Sequence, residues 1–485
     1  MEQSIIGRQD EMRRLKKYIS SDRSEFIAVY GRRRVGKTFL VKELFGDSFA
    51  FRLTGRENAT LDDELMNFSY AMQDYFGLDV TPANWIEAFR ALAKAIERQE
   101  KGTKILFIDE LPWLDTPKSL FVPALEHFWN DWAYYRSDIK LIVCGSATTW
   151  MLDKIINSRG GLHNRTTHQI LVKPFTLKET ELYFRHNDFG YERPEMISSY
   201  MLVGGVPYYL SLYEKDKSVA ENINSLCFVA GGELVNEFDR LYKSLFKRSE
   251  THMTIIEALS TVGKGMTRCD IISKTKLTNN GNLTTVLREL EACDFIRSYV
   301  PFGKSKKDML YQLIDHYSLF YFRFIKGKKN FEKNYWIKQI GTNAYHAWSG
   351  YAFETVCLHH INQIVEGLGI SGTIYSSCSW AYRPSESVRN NPEVDEDLKV
   401  GTQIDLLIDR NDKTITVCEM KYSDGQFVID ADYHNRIQAR LRTFAKVTKT
   451  SKSLSVAYIT PQGLFNNMYA RMAVRQITAE QLFNN

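Results

Sequence analysis

Gly31-Arg32-Arg33-Arg34-Val35-Gly36-Lys37-Thr38 follows the spacing G-x-x-x-x-G-K-[ST] without a gap. Ahead of it, Phe26-Ile27-Ala28-Val29-Tyr30 reads as a short buried strand, and Phe39 to Phe45 reads as a helix. Strand, glycine loop and helix in that order aim backbone N–H groups and a helix N-terminus at one point, where a polyphosphate is held. All eight loop residues are therefore assigned to nucleotide. Lys37 would neutralise the β- and γ-phosphates, and the Thr38 hydroxyl would hold Mg²⁺.

A nucleotide site of this kind needs a second buried strand ending in an acid. Lys104-Ile105-Leu106-Phe107-Ile108-Asp109-Glu110 supplies it. Its four apolar residues suit the centre of a parallel sheet. Asp109 then stands at the carboxyl end of the strand, where open α/β sheets bind ligands. Asp109 is assigned to the Mg²⁺ shell and Glu110 to the attacking water.

Length and composition set outer bounds. At 485 residues the chain is long enough for about three domains. Its 44% hydrophobic and 25% charged content is that of a globular chain with a core. No run approaches the roughly 18–20 apolar residues of a membrane span. Met1-Glu2-Gln3 opens polar, with no apolar export segment, so a cytoplasmic protein is expected. Seven scattered cysteines never form C-x-x-C, which predicts reduced core thiols and no zinc site.

The net charge of +5 is unevenly spread. Residues 264–333 hold 14 Lys/Arg and 7 Asp/Glu, so the rest of the chain nets −2. A basic surplus in one segment is the electrostatic footprint of a nucleic-acid contact, or else a solvated face. The segment patterns as a winged helix-turn-helix. A helix at Met253–Leu259 is broken by Gly263 and Gly265, a second begins at Thr267, and Leu283, Val286, Leu287 and Leu290 mark a third. Strands at 295–300 and 309–313 flank the basic tip Gly303-Lys304-Ser305-Lys306-Lys307. In DNA-binding versions the third helix enters the major groove and basic groups hold phosphate. Other versions pack against neighbouring domains.

A third chemistry lies downstream. Residues 401–409 and 414–421 read as two strands around Asn411-Asp412. Ile415, Val417, Glu419 and Lys421 share a face, apolar at first and then charged, which suggests a cleft at the edge of a core. A three-residue loop, 411–413, would set Asp405 opposite Glu419, and this register is the one expected. Paired carboxylates suit Mg²⁺ or Mn²⁺ and metal-assisted phosphodiester cleavage. Lys421 would position the nucleophile or stabilise the phosphorane, and Glu354 is a candidate additional acid. His359 and His360 are adjacent on a helix, do not face one another, and read as structural.

The front half resembles the archaeal-type ATPases of the STAND/AAA+ grouping. The resemblance rests on Ile6-Gly7-Arg8, the glycine loop, Asp109-Glu110, Cys144-Gly145-Ser146 and Gly204-Gly205-Val206-Pro207. The C-terminal region resembles the PD-(D/E)XK nuclease-like domain, through Asp405, Glu419-x-Lys421 and Glu354, although no Pro precedes Asp405. This implies ATP and Mg²⁺ as ligands, Ser146 as a γ-phosphate sensor, Arg8 near the base or phosphates, and Pro207 in a lid motif. It also implies Arg165, with Arg159 as its rival, as a charge-stabilising arginine in cis or from a neighbouring subunit.

The expected architecture is α/β. A P-loop domain with a parallel sheet spans 1–203, a helical lid 204–248, a winged helix-turn-helix 249–333 and a restriction-endonuclease-like domain 334–485. The leading reading is an ATP-binding, DNA-associated protein whose metal-dependent nuclease is gated by nucleotide, with Gly204 to Pro207 as hinge and a homo-oligomer or protein partner possible. A nucleotide switch that binds DNA or a partner without cleaving is the alternative, and a DNA-translocating motor is a third reading.

Overall fold

A computed structural model describes residues 5–157, 165–246, 248–328, 331–472 and 475–484. Five parallel strands form the first sheet: β1 (Glu25–Tyr30), β2 (Phe49–Thr54), β3 (Lys104–Asp109), β4 (Ile139–Gly145) and β5 (His168–Leu171). They lie in the order β2-β3-β4-β1-β5. The strands are nearly all apolar because helices cover both faces. Phe26, Ala28, Leu106, Ile108 and Val143 enter one core, while Ile27, Val29, Ile105, Phe107 and Ile142 enter the other. Because β1, β3 and β4 run parallel, the loops that follow them lie together at one end of the sheet.

The basic segment folds much as its periodicity predicts. Helices Ser249–Ser260, Arg268–Thr275 and Gly281–Ala292 precede an antiparallel sheet of β6 (Met266–Thr267), β7 (Ile296–Tyr299) and β8 (Leu310–Leu313), ordered β6-β8-β7. Thr267 caps the second helix through Asp270, and Asn280 caps the third at Leu283. Such side-chain oxygens satisfy amides that a helix start leaves open. Lys304, Lys306 and Lys307 are exposed at the tip between β7 and β8.

The C-terminal sheet contains β9 (Tyr375–Tyr382), β10 (Thr402–Arg410), β11 (Thr414–Met420), β12 (Ser453–Ile459) and β13 (Arg475–Ile477), in the order β13-β12-β11-β10-β9. β9, β10 and β11 are antiparallel neighbours, whereas β11, β12 and β13 run parallel. Helix Asn343–His359 covers one face and Ala431–Thr448 the other. One continuous apolar core runs from Phe175 to Phe483 and joins the helices after β5 to both later sheets.

The segment 204–207, expected to be a hinge, is instead clamped. The Phe175 amide donates to the Gly205 carbonyl at 2.6 Å, and a Cβ on Gly205 would sit 1.9 Å from the Phe175 oxygen. Gly205 is needed here for close backbone approach, and Gly204, at φ 62°, for its left-handed backbone. The expectation of core thiols also needs amending, because Cys269 is exposed and Cys378 half-buried, while the other five are buried and all seven are free. Among the described residues no helix is long and apolar enough to cross a membrane.

Gly205→Ala is expected to destabilise the fold by about 1–3 kcal/mol through overpacking. Gly190→Ala, where an added Cβ meets nothing within 4 Å, should behave like wild type. Chemical denaturation of the two variants side by side measures the difference.

Candidate functional site: a nucleotide pocket and a carboxylate cavity

The chain turns from β1 into helix Lys37–Phe45 through three residues of positive φ, Gly31 (143°), Arg34 (73°) and Gly36 (88°). These conformations let the loop wrap back on itself with its amides pointing inward. Lys37 is buried and donates through Nζ to the Arg32 carbonyl at 2.8 Å. The Thr38 hydroxyl donates to Asp109 Oδ1 at 3.1 Å. Burial, and then the neighbouring Glu110, push the Asp109 carboxyl above its ordinary value. A divalent cation would relieve that strain, so the pair Thr38 and Asp109 fits Mg²⁺.

Glu110 adopts φ 46°, a left-handed conformation uncommon outside glycine and frequent at functional sites. Its carboxylate accepts from the Ser146 hydroxyl at 2.8 Å. Ser146 therefore aims Glu110. A cavity of about 550 Å³ opens beside the loop, lined by Arg8, Arg33 to Thr38, Glu110 and Pro207. Ile5, Phe175 and Tyr183 make an apolar wall suited to a base. Arg8 is buried, donates to the Val35 carbonyl at 3.0 Å and stacks on Phe175. Asp109 and Ser146 are buried and are not among the residues that line the cavity, and Gly31 packs its backbone against Val172.

Two arginines do not stand where the sequence suggests. Arg32 turns away from the cavity, is buried, and pairs with Asp315 at 2.5 Å while lying over Phe295. Burial opposes its charge, but Asp315 more than restores it. Arg165 precedes β5 at the amino ends of the strands, stacked on Tyr134, so it cannot reach the loop within one chain. Arg159 lies outside the described residues. Sequence reasoning missed the partners that hold the loop. Fully buried Glu237 pairs with Arg34 at 2.9 Å and accepts from Tyr209, and Glu179 accepts from the Arg8 amide. No local pattern marks Glu237 or Asp315, because their partners are hundreds of residues away.

The second cluster lies where β10 meets β11. The loop spans 411–413, and the pairing Leu406 with Cys418, extended by one residue, sets Asp405 opposite Glu419 as expected. A bulge against β9 between Ile404 and Leu407 displaces Asp405 locally. Asp405 and Glu354 line a cavity of about 500 Å³ together with Lys264, Arg297, Arg383 and Gln403. Burial, then the Asp405 charge, raise the Glu354 carboxyl to about 8. Asp405 is raised too, by burial and Glu419.

Glu419 and Lys421 both act electrostatically on Glu354 and Asp405, and each also has a further contact. Both Glu419 oxygens are engaged, one by Arg440 and one by the Tyr433 hydroxyl at 2.9 Å. Lys421 lies over the Tyr433 ring and does not line the cavity. Among the described residues no three acid, His or Cys side chains converge as metal ligands. The donor set still has the right chemistry, since buried, mutually repelling carboxylates are what a divalent cation neutralises. A cation and Arg440 would compete for Glu419. His360 is structural, as read: Nε2 accepts from the Leu177 amide, Nδ1 donates to the Val356 carbonyl, and burial lowers its pKa to about 4.

Comparison with known proteins adds to this geometry. Residues 5–213 match a family model described as an ATPase domain predominantly from Archaea. Over 442 residues the chain is 26% identical to the uncharacterized protein MJECL04 of Methanocaldococcus jannaschii, covering 87% of this chain and 88% of that one. The Walker-type ATPase PABY2304 of Pyrococcus abyssi shares the fold at TM-score 0.50 and 20% identity, over 66% of this chain and 96% of that one. The ORC2 protein of Aeropyrum pernix aligns at TM-score 0.38 and 15% identity, over 65% and 93%. The N-terminal segment is thus an archaeal-type ATPase domain, and that family implies ATP and, typically, Mg²⁺.

Two outcomes are expected. Asp315→Ala leaves buried Arg32 unpaired and should cost about 3–5 kcal/mol of stability, read by denaturation. The second concerns pH. Glu354 has a folded-state value of about 8 against an ordinary 4.5, so its protonated form favours the fold and that stability is lost as pH rises from 4.5 through 8. In chelator, the melting midpoint of wild type should fall across this window more steeply than that of Glu354→Gln.

Proposed function

We propose that ATP binding in the N-terminal domain controls a nucleic-acid contact made by a winged helix-turn-helix unit and a PD-(D/E)XK nuclease-like unit. The observation that carries the nuclease reading is the β10–β11 register, which puts Asp405 opposite Glu419 beside a cavity that Glu354 also enters. The element order also supports it: helix Asn343–His359, three antiparallel strands, helix Ala431–Thr448, then a parallel strand. The helix–strand–helix–helix–strand–strand order over 249–313 supports the winged helix, with the ATPase domain ahead of it and the lid helices between.

In the ATPase domain, Lys37 and the loop amides would bind phosphate, Thr38 and Asp109 would hold Mg²⁺, and Glu110, aimed by Ser146, would orient water toward the γ-phosphate. Bound Mg²⁺ neutralises charge developing on the phosphates. In the nuclease-like unit, Asp405 and Glu419 would hold a Mg²⁺ or Mn²⁺ that activates water and steadies the leaving oxygen. Glu354 keeps a proton near neutral pH while no cation is present. Lys264 faces the same cavity and supplies positive charge there.

The alternative, a switch that binds without cleaving, is favoured by two contacts. Arg440 already occupies Glu419. The exposed face of the third helix is engaged as well, since Arg288 pairs with Asp153 of the ATPase domain through two bonds at 3.1 and 2.7 Å. Nucleotide would then act by releasing such contacts.

Labelled duplex and single-stranded DNA, incubated with Mg²⁺ or Mn²⁺ with and without ATP, decide between the readings. Cleavage that disappears in Glu419→Ala and responds to ATP only when Lys37 is intact supports the gated nuclease. Binding without cleavage under every condition overturns it in favour of the switch.

A further inference from the structure

We propose that the cavity between the 249–313 unit and the 343–483 unit is a binding site for a single nucleic-acid strand, held along its phosphates by Lys264, Arg297 and Arg383. The proposal names the substrate class of the nuclease-like site and so rests on that reading, but it is carried by the cavity itself.

Both units build the walls. Lys264 lies in the turn after helix Ser249–Ser260, Arg297 and Tyr299 come from β7, and Arg383 follows β9. Glu354 and Asp405 share the same space. The cavity measures about 500 Å³, equivalent to a cube with an edge of about 8 Å. The major groove of a duplex alone is about 12 Å wide. A duplex therefore does not fit between the units as they stand, whereas volumes of about 300–1,000 Å³ accommodate small ligands on the scale of a nucleotide.

The lining has the composition that single strands require. Proteins that bind them without reading sequence combine cations along the backbone with aromatic faces for the bases. Here Tyr299 and Tyr351 line the cavity, and the Arg297 guanidinium lies 4.6 Å from the Tyr299 ring centre. Arg297 Nε donates to Gln312 Oε1 at 2.7 Å. Among the described residues neither Lys264, Arg297 nor Arg383 makes a direct ion pair with a carboxylate. Burial weakens the charged forms of Lys264 and Arg297, while the Asp405 and Glu354 carboxylates in the same cavity support that of Lys264. Nothing of the kind applies to the exposed lysines at the β7–β8 tip, whose charges are solvated.

The test is fluorescence anisotropy on the full chain in chelator, which stops metal-dependent cleavage. The probes are a labelled thymidine strand of about 20 nucleotides, comparable to the site sizes of strand-binding folds, and a duplex of the same length. Tenfold or greater preference for the single strand is expected. Lys264→Glu with Arg383→Glu should abolish that preference and reduce the salt slope by about 1.4, since each strand phosphate contact contributes about 0.7. The two-charge control Lys413→Glu with Lys449→Glu, both at exposed turns, should bind like wild type. Retained ATP binding in the cavity variant shows that it is folded. Equal or tighter duplex binding, or a cavity variant that binds like wild type, overturns the proposal. Strand binding without cleavage in Mg²⁺ or Mn²⁺ would remove the nuclease reading and leave the strand site. Duplex cleavage independent of Lys264 would do the reverse.

Discussion

The ion pair between Arg32 and Asp315 ties the phosphate loop to the far side of the molecule. Both side chains are buried, and Arg32 also lies over Phe295 at the entrance to β7. A buried charge is tolerated only while its partner stays in place. The loop, the helices after β5 and the segment that follows β8 are therefore one packing problem. Arg34 adds a second tie through Glu237. Charges that a bare nucleotide loop would spend on phosphate are spent here on carboxylates of later elements. Arg32 and Arg34 of the loop are therefore both held by carboxylates that lie far along the chain.

The two candidate sites differ in how their charges are balanced. In the nucleotide site each acid has a donor: Thr38 for Asp109, Ser146 for Glu110. Such preorganisation is what catalysis uses, because no reorganisation is needed when charge develops. At the β10–β11 cluster the balance is incomplete. Glu419 is satisfied by Arg440 and Tyr433 and Asp405 accepts from Gln403, yet the carboxyls of Glu354 and Asp405 are both still raised in a half-buried space.

Much of this was legible in the residues. The glycine loop, the acid-ended strand and the three-residue turn at 411–413 are local patterns, and backbone geometry carries them directly into structure. The third helix of the basic segment was readable for the same reason, since Leu283, Val286, Leu287 and Leu290 repeat at helical spacing and are all buried. What could not be read were pairings across long separations. Arg32 sits in a nucleotide motif, and only its neighbour 283 residues away turns it into a structural residue. Arg165 has no local feature that says which end of the sheet it occupies. Arg440 lies on a helix whose sequence gives no sign that its guanidinium will cover Glu419. Gly205 misled in another way, because a glycine needed for close approach and one needed for motion look alike in sequence.

The amide of Phe302 donates to the carbonyl of Ser379 at 2.8 Å, a single main-chain bond from the β7–β8 connection onto β9. β9 is the outermost strand of its sheet, with β10 on its other side. Phe302 packs there against Phe444, within the core that also holds Trp380. The connection thus serves as a cover for a strand edge, and unprotected edges recruit other strands. Lifting the two units apart would bare that edge and the apolar side chains beneath it at the same moment. The bond at Ser379 thus joins the protection of a strand edge to the closeness of the two units.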